Sequence, residues 1–489
     1  MNALYSGCIA DPWLEVADQL KIKHNINPVY WVGWNNEKDI IENFFKDCIF
    51  LEFHSAWRGV FPDLDDKSFS AKLDGEILIK YSYEEGIAMK MMDRQDPSGN
   101  NFSFNERQQF FRHLLRSWLY IIENYEIELV ISPSIPHRVF DYTLYVATLI
   151  KKIKFISFKM TVWPGYLLPL SKIDKIPIFS KTDTQINTLV TNYFEKTKGD
   201  YNIAEPYYMK AQKESQSNIL VKTFFSFFKK GVFIKKSIRI FNNSHSYWKK
   251  KGKEIEDNKI YNFQRFFILE KGKVFKRKLK KIYDSNCTLP NYSEKYIFVA
   301  LHYQPEETSC PSGHIYVDQS LMVETLLKYT PNDVKLYIKE HSSQFHPLME
   351  GETGRYLGYY SQLLKHERVK LISTKINSFE LIDNSIAIAT LTGTVGLEAL
   401  IRQKPVLVFG TAWYEHLSGI FRIRTMKDLE VAIDKIESGI VAPETTKEEL
   451  NGILNNSIKA YHYGDYKEVS GVSKKESILN LVKCINSLT

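Results

Sequence analysis

The sequence predicts an α/β protein with two Rossmann-like, doubly wound domains and a basic helical insertion between them. Short apolar runs rich in β-branched residues alternate with amphipathic stretches in both halves of the chain, and this pattern is typical of parallel strands covered by helices. The length of 489 residues exceeds what one hydrophobic core usually serves. Because such domains bind ligands outside the carboxyl ends of their strands, we expect a cleft between the two.

The individual elements follow from apolar runs and from apolar residues spaced three and four apart. In the first half, strands are predicted at 29–34, 49–53, 129–132 and 155–158, with helices at 104–125 and 140–152. In the second half, strands are predicted at 296–301, 335–339, 370–372, 386–390 and 406–409, with helices at 319–329, 354–365, 378–382 and 395–402. Three closing helices are predicted at 426–437, 447–461 and 475–487.

These elements divide the chain into four parts. Residues 1–175 form an N-terminal Rossmann-like domain, and residues 291–425 form a C-terminal one. Residues 176–290 are a basic helical insertion or linker, and 426–489 are helices that pack on the two lobes.

The most informative stretch runs from 386 to 410. A buried apolar run ends at Thr392-Gly393-Thr394, a helix-like pattern follows, and a second buried strand begins after Pro405. This is a βαβ unit whose helix N-terminus offers backbone N–H groups to an anion, usually a phosphate. The alternative is a plain turn in which Thr392 or Thr394 caps the helix.

The positive charge of the chain is concentrated in one region. Between 211 and 281 there are 20 Lys/Arg against 5 Asp/Glu, which leaves 45 against 52 elsewhere. Aromatic residues mixed with lysines suit an interfacial helix on anionic lipid. A solvated basic helix face is the plainer alternative. Nucleic acid is the third interpretation, and we do not expect it as a partner because no recognition motif accompanies the charge.

The remaining features of the composition indicate the cellular compartment. Five scattered cysteines form no paired spacing, which argues against a disulfide framework or a zinc knuckle and fits a reducing compartment. The N-terminal stretch is not a secretory signal, and no apolar run is long enough to span a membrane. We therefore expect a cytoplasmic protein, soluble or peripheral at the inner membrane.

Four segments resemble bacterial capsule-polysaccharide biosynthesis proteins, a family that includes Kdo (ulosonic acid) transferases acting on lipid-linked capsule precursors. The segments are 392–414 (TGTVGLEALIRQKPVLVFGTAWY), 301–306 with 317–319, 339–341 and 136–142. Two positions depart from the family pattern: Ser342 stands where Pro usually follows the histidine, and Lys404 stands where Gly is common.

The resemblance implies the glycosyltransferase B architecture, with the nucleotide-sugar donor in the C-terminal lobe and the glycan or glycolipid acceptor in the N-terminal lobe. The implied donor is a CMP-activated ulosonic or nonulosonic acid, such as Kdo or a sialic-acid-like sugar. Two alternatives stay open: a UDP-sugar-dependent transferase, and an inactive scaffold recruited to the membrane.

Residues at strand ends of the second domain are the candidates for nucleotide binding. Lys339 and His341 follow a strand and can both face an anion, although a surface salt-bridge cluster would show the same spacing. The other candidates are His302, Thr392, Gly393, Thr394 and Glu398. Glu398 resembles the nucleotide-facing acid of similar transferases, or it is a helix-surface acid. Glu306 is a candidate acid/base group or a solvated loop residue.

In the first domain, His137 and Asp141 lie four residues apart at a predicted helix start. Asp141 is the candidate reactive carboxylate, either deprotonating the acceptor hydroxyl or attacking the anomeric carbon, with His137 in support. The alternative is a helix N-terminal acid beside a packing histidine. His54 and Arg58, which also follow a strand, are weaker acceptor-site candidates.

The sequence contains no metal-binding motif at a strand end. Cationic side chains and a helix terminus can neutralise a leaving phosphate, so we expect a metal-independent reaction without a cofactor.

Overall fold

The computed structural model describes residues 1–62, 64, 73–96, 102–179, 185–199, 265–347, 349–440 and 445–489. Most of the predicted basic insertion, and with it most of the proposed lipid-binding region 211–281, lies outside these residues. The domain boundaries at 175/176, 290/291 and 425/426 stay predictions.

The strands within the described ranges are β1 (Asn2–Ser6), β2 (Asn27–Gly33), β3 (Ile49–Glu52), β4 (Ile127–Ile131), β5 (Lys154–Met160), β6 (Tyr166–Leu170), β7 (Cys287–Thr288), β8 (Tyr296–Ala300), β9 (Lys335–Lys339), β10 (Val369–Ile372), β11 (Ala387–Thr390), β12 (Val406–Val408), β13 (Ile420–Arg422) and β14 (Ile458–Lys459).

The α-helices in the same ranges are α1 (Ala10–His24), α2 (Lys38–Phe44), α3 (Phe53–Trp57), α4 (Gly75–Lys80), α5 (Ser82–Met91), α6 (Phe104–Asn124), α7 (Val139–Lys151), α8 (Thr188–Lys198), α9 (Arg265–Ser285), α10 (Gln319–Tyr329), α11 (Tyr359–Leu363), α12 (Ser378–Asn384), α13 (Thr394–Ile401), α14 (Met426–Glu437), α15 (Thr446–Asn456), α16 (Lys467–Ser470) and α17 (Lys474–Leu488). Short 3-10 turns lie at Asn35–Glu37, Met92–Gln95, His314–Val317, Ser342–Phe345, Gly351–Gly354 and Gly464–Tyr466.

The described strands form two seven-stranded sheets, and both repeat the strand order of a nucleotide-binding fold. The first sheet has the order β14-β6-β5-β4-β1-β2-β3, in which β6 is antiparallel to both of its neighbours, β5 and β14, and all other neighbouring pairs are parallel. The second has the order β13-β12-β11-β8-β9-β10-β7 and is parallel throughout. In each sheet the order in which strands are added reverses beside the central strand. This point lies between β1 and β4 in the first sheet and between β8 and β11 in the second. The predicted fold class of two Rossmann-like domains is therefore confirmed, and ligands are expected at these two switch points.

Apolar packing joins the two lobes directly. One hydrophobic cluster contains buried residues from both sheets, and it includes an edge-to-face contact between Trp163 and Trp413 with ring centroids 5.9 Å apart. Aromatic pairs bury a large apolar area. This contact therefore helps to hold the two lobes together beside the cleft.

The end of the chain returns to the first lobe. α14 packs on α10 of the second lobe, whereas β14 pairs with β6 and α17 packs on α1. The predicted helix 447–461 is therefore too long: α15 ends at Asn456, and the next residues become an edge strand of the first sheet.

The predicted helix 354–365 is also wrong in its first half. Gly354 ends a 3-10 turn, and Arg355 is extended with φ −142° and ψ 151°. A Cβ at Gly354 would lie 2.5 Å from the Gln304 carbonyl oxygen, so the chain passes too close to its neighbour for a helix to begin there. Only Tyr359–Leu363 is α-helical. Among the described residues, no helix is long and apolar enough to cross a membrane.

The docking of α17 on the first lobe generates a stability prediction. Leu481 is fully buried against that lobe, while Leu479 on the same helix is 58% exposed. Leu481→Ala removes buried methyl groups and leaves a cavity, so we expect the free energy of unfolding to fall by about 2–5 kcal/mol. Urea denaturation followed by circular dichroism measures this loss.

Leu479→Ala is the matched control, and we expect its effect to stay within about 0.5 kcal/mol. Equal losses in the two variants would contradict the docking of α17.

Candidate functional site

A cavity of about 360 Å³ lies at the carboxyl edge of the second sheet, facing the first lobe. Its wall combines residues that follow β8, β9 and β11 with residues 159–162 of the first lobe and Trp413. We call it the second-domain cavity. It brings together all the site residues predicted in that domain: His302, Glu306, Lys339, His341, Thr392, Gly393, Thr394 and Glu398. They meet because the carboxyl ends of parallel strands share one edge of a sheet.

The turn between β11 and α13 is held from both sides. The Thr392 backbone N–H donates to His302 Nε2 at 3.1 Å, and the Thr392 hydroxyl donates to the Thr308 carbonyl at 2.8 Å. The Tyr414 hydroxyl donates to the Gly393 carbonyl. A Cβ at Gly393 would lie 3.1 Å from His302 Nε2, so glycine allows this close approach. The first N–H groups of α13, which have no partners within the helix, therefore begin at the cavity wall.

His302 presents an unpaired donor in this wall. Because its Nε2 accepts the Thr392 N–H, the ring proton resides on Nδ1, and Nδ1 is buried without a hydrogen-bond partner. Burial, together with the nearby His341 and Arg355, lowers the pKa of His302 to about 3. The ring is therefore neutral at physiological pH. Unpaired buried donors are uncommon in folded proteins and point to a missing polar guest.

Lys339 and His341 are oriented by local hydrogen bonds. The Lys339 ammonium donates to the Ile376 carbonyl at 2.6 Å and to the Ser378 hydroxyl at 2.7 Å. His341 Nδ1 accepts the Ser343 N–H at 3.2 Å, which leaves its proton on Nε2. Burial lowers the pKa of His341 to about 4, with Lys339 adding to the effect and Glu340 opposing it. This part of the cavity wall thus combines the Lys339 ammonium with two neutral histidines.

Glu340, between them in sequence, forms a buried ion pair with Arg355. Its carboxylate accepts two bonds from the Arg355 guanidinium, at 2.9 and 3.0 Å, and one from the Tyr360 hydroxyl at 2.8 Å. Arg355 also donates to the His302 carbonyl at 3.1 Å. Sequence reasoning missed Arg355 because it lies in a segment that the apolar spacing assigns to a helix.

Glu398 lines the cavity one turn into α13. Burial raises its pKa to about 7, while the Thr394 hydrogen bond and the charge of Lys339 oppose the rise. The raised pKa favours the protonated form of this carboxyl group, which can donate a hydrogen bond.

A second cavity, of about 540 Å³, lies at the carboxyl edge of the first sheet, and we call it the first-domain cavity. His137 and Asp141 both line it, as the sequence predicts. His137 Nδ1 donates to the Ile135 carbonyl at 2.9 Å, which leaves Nε2 as an acceptor. Burial, with the charges of Arg138 and Arg94, lowers the pKa of His137 to about 4.

Asp141 caps its own helix and also contributes to the cavity wall. Its Oδ1 accepts the Arg138 N–H at 2.8 Å at the start of α7. Burial raises the pKa of Asp141 to about 6, although the Arg138 charge and backbone N–H groups oppose the rise. The helix-capping interpretation is correct for one oxygen, and it does not remove the residue from the cavity.

The two cavities share the wall formed by Lys159, Met160 and Glu307. The Lys159 ammonium lies 3.1 Å from Glu307 Oε1, joining β5 to the loop after β8. Burial disfavours the charged carboxylate, but Lys159 and the Ser312 hydroxyl keep the pKa of Glu307 below its usual value. The sequence carries no signal for this pair, because its members lie 148 residues apart.

Glu306 lies in the second-domain cavity beside this pair. The Thr308 hydroxyl donates to its Oε2 at 2.9 Å. Desolvation by the surrounding protein raises the pKa of Glu306, and the Thr308 bond opposes the rise. A raised pKa suits an acid/base group.

Two predicted residues are not among those lining either cavity. The His54 ring packs between Trp34 and Trp57, with centroid distances of 5.2 and 6.1 Å. Arg58 is buried, with its guanidinium 3.8 Å from a Glu52 carboxylate oxygen. Their acceptor role stays a prediction. Within the described ranges, no group of three or more His, Cys, Asp or Glu side chains could hold a metal ion.

The chain is similar to known proteins over part of its length. Residues 245–435 match the model of the family "Capsule polysaccharide biosynthesis protein". The capsule polysaccharide modification protein LipA of Neisseria meningitidis serogroup A is 32% identical over 94 residues, which are 19% of this chain and only 12% of LipA.

Solved structures also match at low identity. KpsC of Thermosulfurimonas dismutans, a beta Kdo 2,7 transferase, is 14% identical with a TM-score of 0.29, covering 75% of this chain and 88% of that chain. UDP-GlcNAc 2-epimerase of Methanocaldococcus jannaschii is 10% identical with a TM-score of 0.26, covering 92% and 97%. The family match includes β8 to β13 and most of α14, the region that builds most of the second-domain cavity, so the chain is similar to this family over that part of its length.

Proposed function

We propose that this protein is a glycosyltransferase of bacterial capsule or surface polysaccharide biosynthesis that uses a nucleotide-sugar donor. One observation carries the proposal: a cavity with anion-binding groups and a cavity with acid/base groups meet at the shared wall of Lys159, Met160 and Glu307. Glycosyl transfer needs this juxtaposition, because the leaving phosphate and the group that first attacks the anomeric carbon, either the acceptor hydroxyl or a carboxylate, lie on opposite faces of the transferred sugar.

The second-domain cavity binds the nucleotide in this proposal. The N–H groups at the start of α13, the Lys339 ammonium and the N–H donors of His302 and His341 contact the leaving phosphate and stabilise its developing charge without a metal ion. Glu398 in its protonated form donates to a nucleoside hydroxyl. Glu306, nearer the shared wall, holds a sugar hydroxyl or exchanges a proton with it.

The first-domain cavity receives the acceptor. Asp141 is the reactive carboxylate, either taking the proton of the attacking hydroxyl or attacking the anomeric carbon itself. Its pKa of about 6 leaves it mainly ionised at neutral pH, as either role requires. His137 is neutral, and its unprotonated Nε2 atom supports Asp141 by accepting a hydrogen bond from the ligand.

A CMP-activated ulosonic or nonulosonic acid is the donor that we propose, on the strength of the family resemblance at 392–414. A UDP-sugar is the rival, because a helix terminus with a lysine and histidines does not distinguish one phosphate from two. The acceptor is a lipid-linked or growing glycan.

Calorimetric titration with CMP and UDP tests the nucleotide site. We expect CMP to bind and Lys339→Met to weaken it about tenfold to a hundredfold, because a hydrogen bond between charged groups contributes about 1.5–3 kcal/mol. The control, Lys335→Met, makes the same change at the other end of β9 and should leave the affinity unchanged. We also expect transfer from a CMP-sugar to persist in EDTA.

If UDP bound more tightly than CMP, the proposed nucleotide site would stand, and the donor would be a UDP-sugar. Unchanged affinity in Lys339→Met would contradict the proposed phosphate contact.

The pH dependence of transfer tests Asp141. Since burial raises the pKa of Asp141 to about 6, the carboxylate is lost below that pH, and kcat/KM for the acceptor should fall as the pH drops through about 6. We expect Asp141→Asn to lower kcat by at least about 10²-fold, while the amide oxygen keeps the cap of α7. Steady-state kinetics from pH 4 to 9 measure both effects.

Asp428→Asn is the matched control, because Asp428 occupies the same capping position of α14, and it should retain full activity. If kcat/KM instead fell as the pH dropped through about 4, the general base would be His137. If Asp141→Asn and Lys339→Met both left polysaccharide production intact in complemented cells, the scaffold alternative would replace the enzyme.

We further propose that the protein contacts an anionic membrane surface from the cytoplasmic side. The described part of the basic region supports this, since one exposed face of α9 carries a series of cations: Lys271, Lys273, Arg277, Lys278, Lys280 and Lys281. The opposite face is buried through Lys276, Leu279 and Tyr283. Each basic residue near such a surface contributes about 1 kcal/mol.

Vesicle sedimentation tests the membrane proposal. We expect the protein to sediment with phosphatidylglycerol vesicles and not with phosphatidylcholine vesicles. Reversing Arg277, Lys278 and Lys281 to Glu should lower the affinity by at least about a hundredfold. The control reverses three dispersed exposed lysines (Lys365, Lys427 and Lys483), so the net charge changes equally. Equal sedimentation with the two lipids, or equal losses in the two variants, would reject the α9 surface.

A further inference from the structure

The first-domain cavity is completed by a segment from the far end of the chain. His462, Tyr463, Asp465 and Tyr466 line it, although they follow β14 and lie more than 300 residues from the other lining residues of the first lobe. We call residues 462–466 the return segment. No member of this segment was singled out from the sequence, and none lines the second-domain cavity.

Two residues that line this cavity each carry a buried polar atom without a partner in the protein. Ser6 Oγ and His462 Nδ1 both lack a hydrogen bond, and each residue is only 3% exposed. They approach the cavity from opposite ends of the chain, one after β1 and the other after β14. Leaving a buried polar group unpaired costs about 1–3 kcal/mol. A ligand that forms hydrogen bonds with both atoms therefore recovers this free energy on binding.

Aromatic rings flank these atoms. The Tyr466 ring stacks on His462 with a centroid distance of 5.4 Å and an interplanar angle of 20°. On the other side, Trp34 stacks on Phe53 at 4.3 Å, and Trp34, Phe53 and Tyr466 all line the cavity. Flat apolar faces beside hydrogen-bonding edges match a pyranose ring, whose C–H faces are apolar and whose rim carries hydroxyl groups.

The return segment is held rigidly against the first lobe. The Trp13 indole N–H donates to the His462 carbonyl at 2.8 Å, and the Tyr461 hydroxyl donates to Asp11 at 2.8 Å. The hydroxyls of Tyr463 and Ser134 lie 3.0 Å apart. Because these contacts fix the segment before any ligand arrives, little ordering entropy is lost on binding.

The charges of the cavity disfavour a second phosphate. Two cations, Arg138 and Lys159, are outnumbered by three carboxylates, Asp141, Glu307 and Asp465. Lys159 is already paired with Glu307. A hydroxyl-rich ligand without phosphate therefore fits better than a nucleotide, and the volume of about 540 Å³ lies within the usual range for small-ligand sites.

We infer that the return segment, with Ser6 and Trp34, forms a saccharide subsite that holds a pyranose unit of the acceptor glycan beside Asp141. This inference rests on the proposed function for the identity of the ligand as acceptor, and on the cavity itself for its chemical class. In this arrangement Tyr466 packs against the sugar face, while Ser6 Oγ and His462 Nδ1 pair with its hydroxyls.

An array of purified bacterial capsular oligosaccharides, probed with the full chain, tests this subsite. We expect the wild-type protein to retain at least one oligosaccharide and Tyr466→Ala to bind it about tenfold more weakly, the typical effect of losing an aromatic contact. Ser6→Ala should also weaken binding, yet leave the urea midpoint unchanged or raised, because it removes an unpaired buried hydroxyl. Tyr292→Ala, an exposed tyrosine of the second lobe, is the control and should bind as the wild type does.

The remaining outcomes overturn the subsite: no oligosaccharide retained, or retention that Tyr466→Ala and Ser6→Ala leave unchanged. Calorimetry with CMP on the same variants separates this failure from failure of the proposed function. The return segment does not line the second-domain cavity, so CMP affinity should be unchanged in both variants whatever the array shows.

Discussion

The buried ion pair of Glu340 and Arg355 is the contact on which the geometry of the second-domain cavity depends. Both residues are at most 5% exposed, and the guanidinium reaches two loops at once. It donates to Glu340 after β9, and to the His302 carbonyl and Gln304 after β8. Glu340 in turn accepts the His341 backbone N–H at 3.0 Å. One planar cation therefore sets the distance between the two histidines.

The energetics of this pair indicate a positional role. Desolvating two charges costs about as much as their attraction returns, so a buried pair adds little net stability, whereas removing one partner costs about 3–5 kcal/mol. Two tyrosines complete the pairing: Tyr360 donates to the carboxylate, and the Tyr283 hydroxyl accepts the Glu340 N–H at 2.9 Å. Tyr283 belongs to α9, so the basic helix is anchored directly behind the cavity.

Sequence reasoning recovered the parts of the site that depend on strand ends. A buried apolar run is visible in sequence, and the polar residues that follow it must emerge at the carboxyl edge of a parallel sheet. This reasoning predicted Lys339, Thr392 and His302, which line the second-domain cavity, and His137 and Asp141, which line the first-domain cavity. His54 and Arg58 also follow a strand, but they line neither of the two cavities. In their case a local partner takes up the side chain: Glu52 for Arg58 and two tryptophans for His54.

Contacts between distant segments had no such signal. Lys159 and Glu307 lie 148 residues apart, and Trp13 and the His462 carbonyl lie 449 apart. Local periodicity also misplaced the helix at 354–365, because the apolar spacing there does not show that Gly354 must pass close to Gln304. The return of the chain to the first lobe also has no local signal in the sequence, because β14 is a two-residue strand that pairs with the edge of β6.

A separation of roles follows from this topology. The proposed nucleotide contacts come from 302–398, and the proposed acceptor contacts come from residues that follow β1 and β4 and from 462–466. Substitutions in the return segment can therefore change the first-domain cavity, while the Glu340–Arg355 pair keeps the second-domain cavity unchanged.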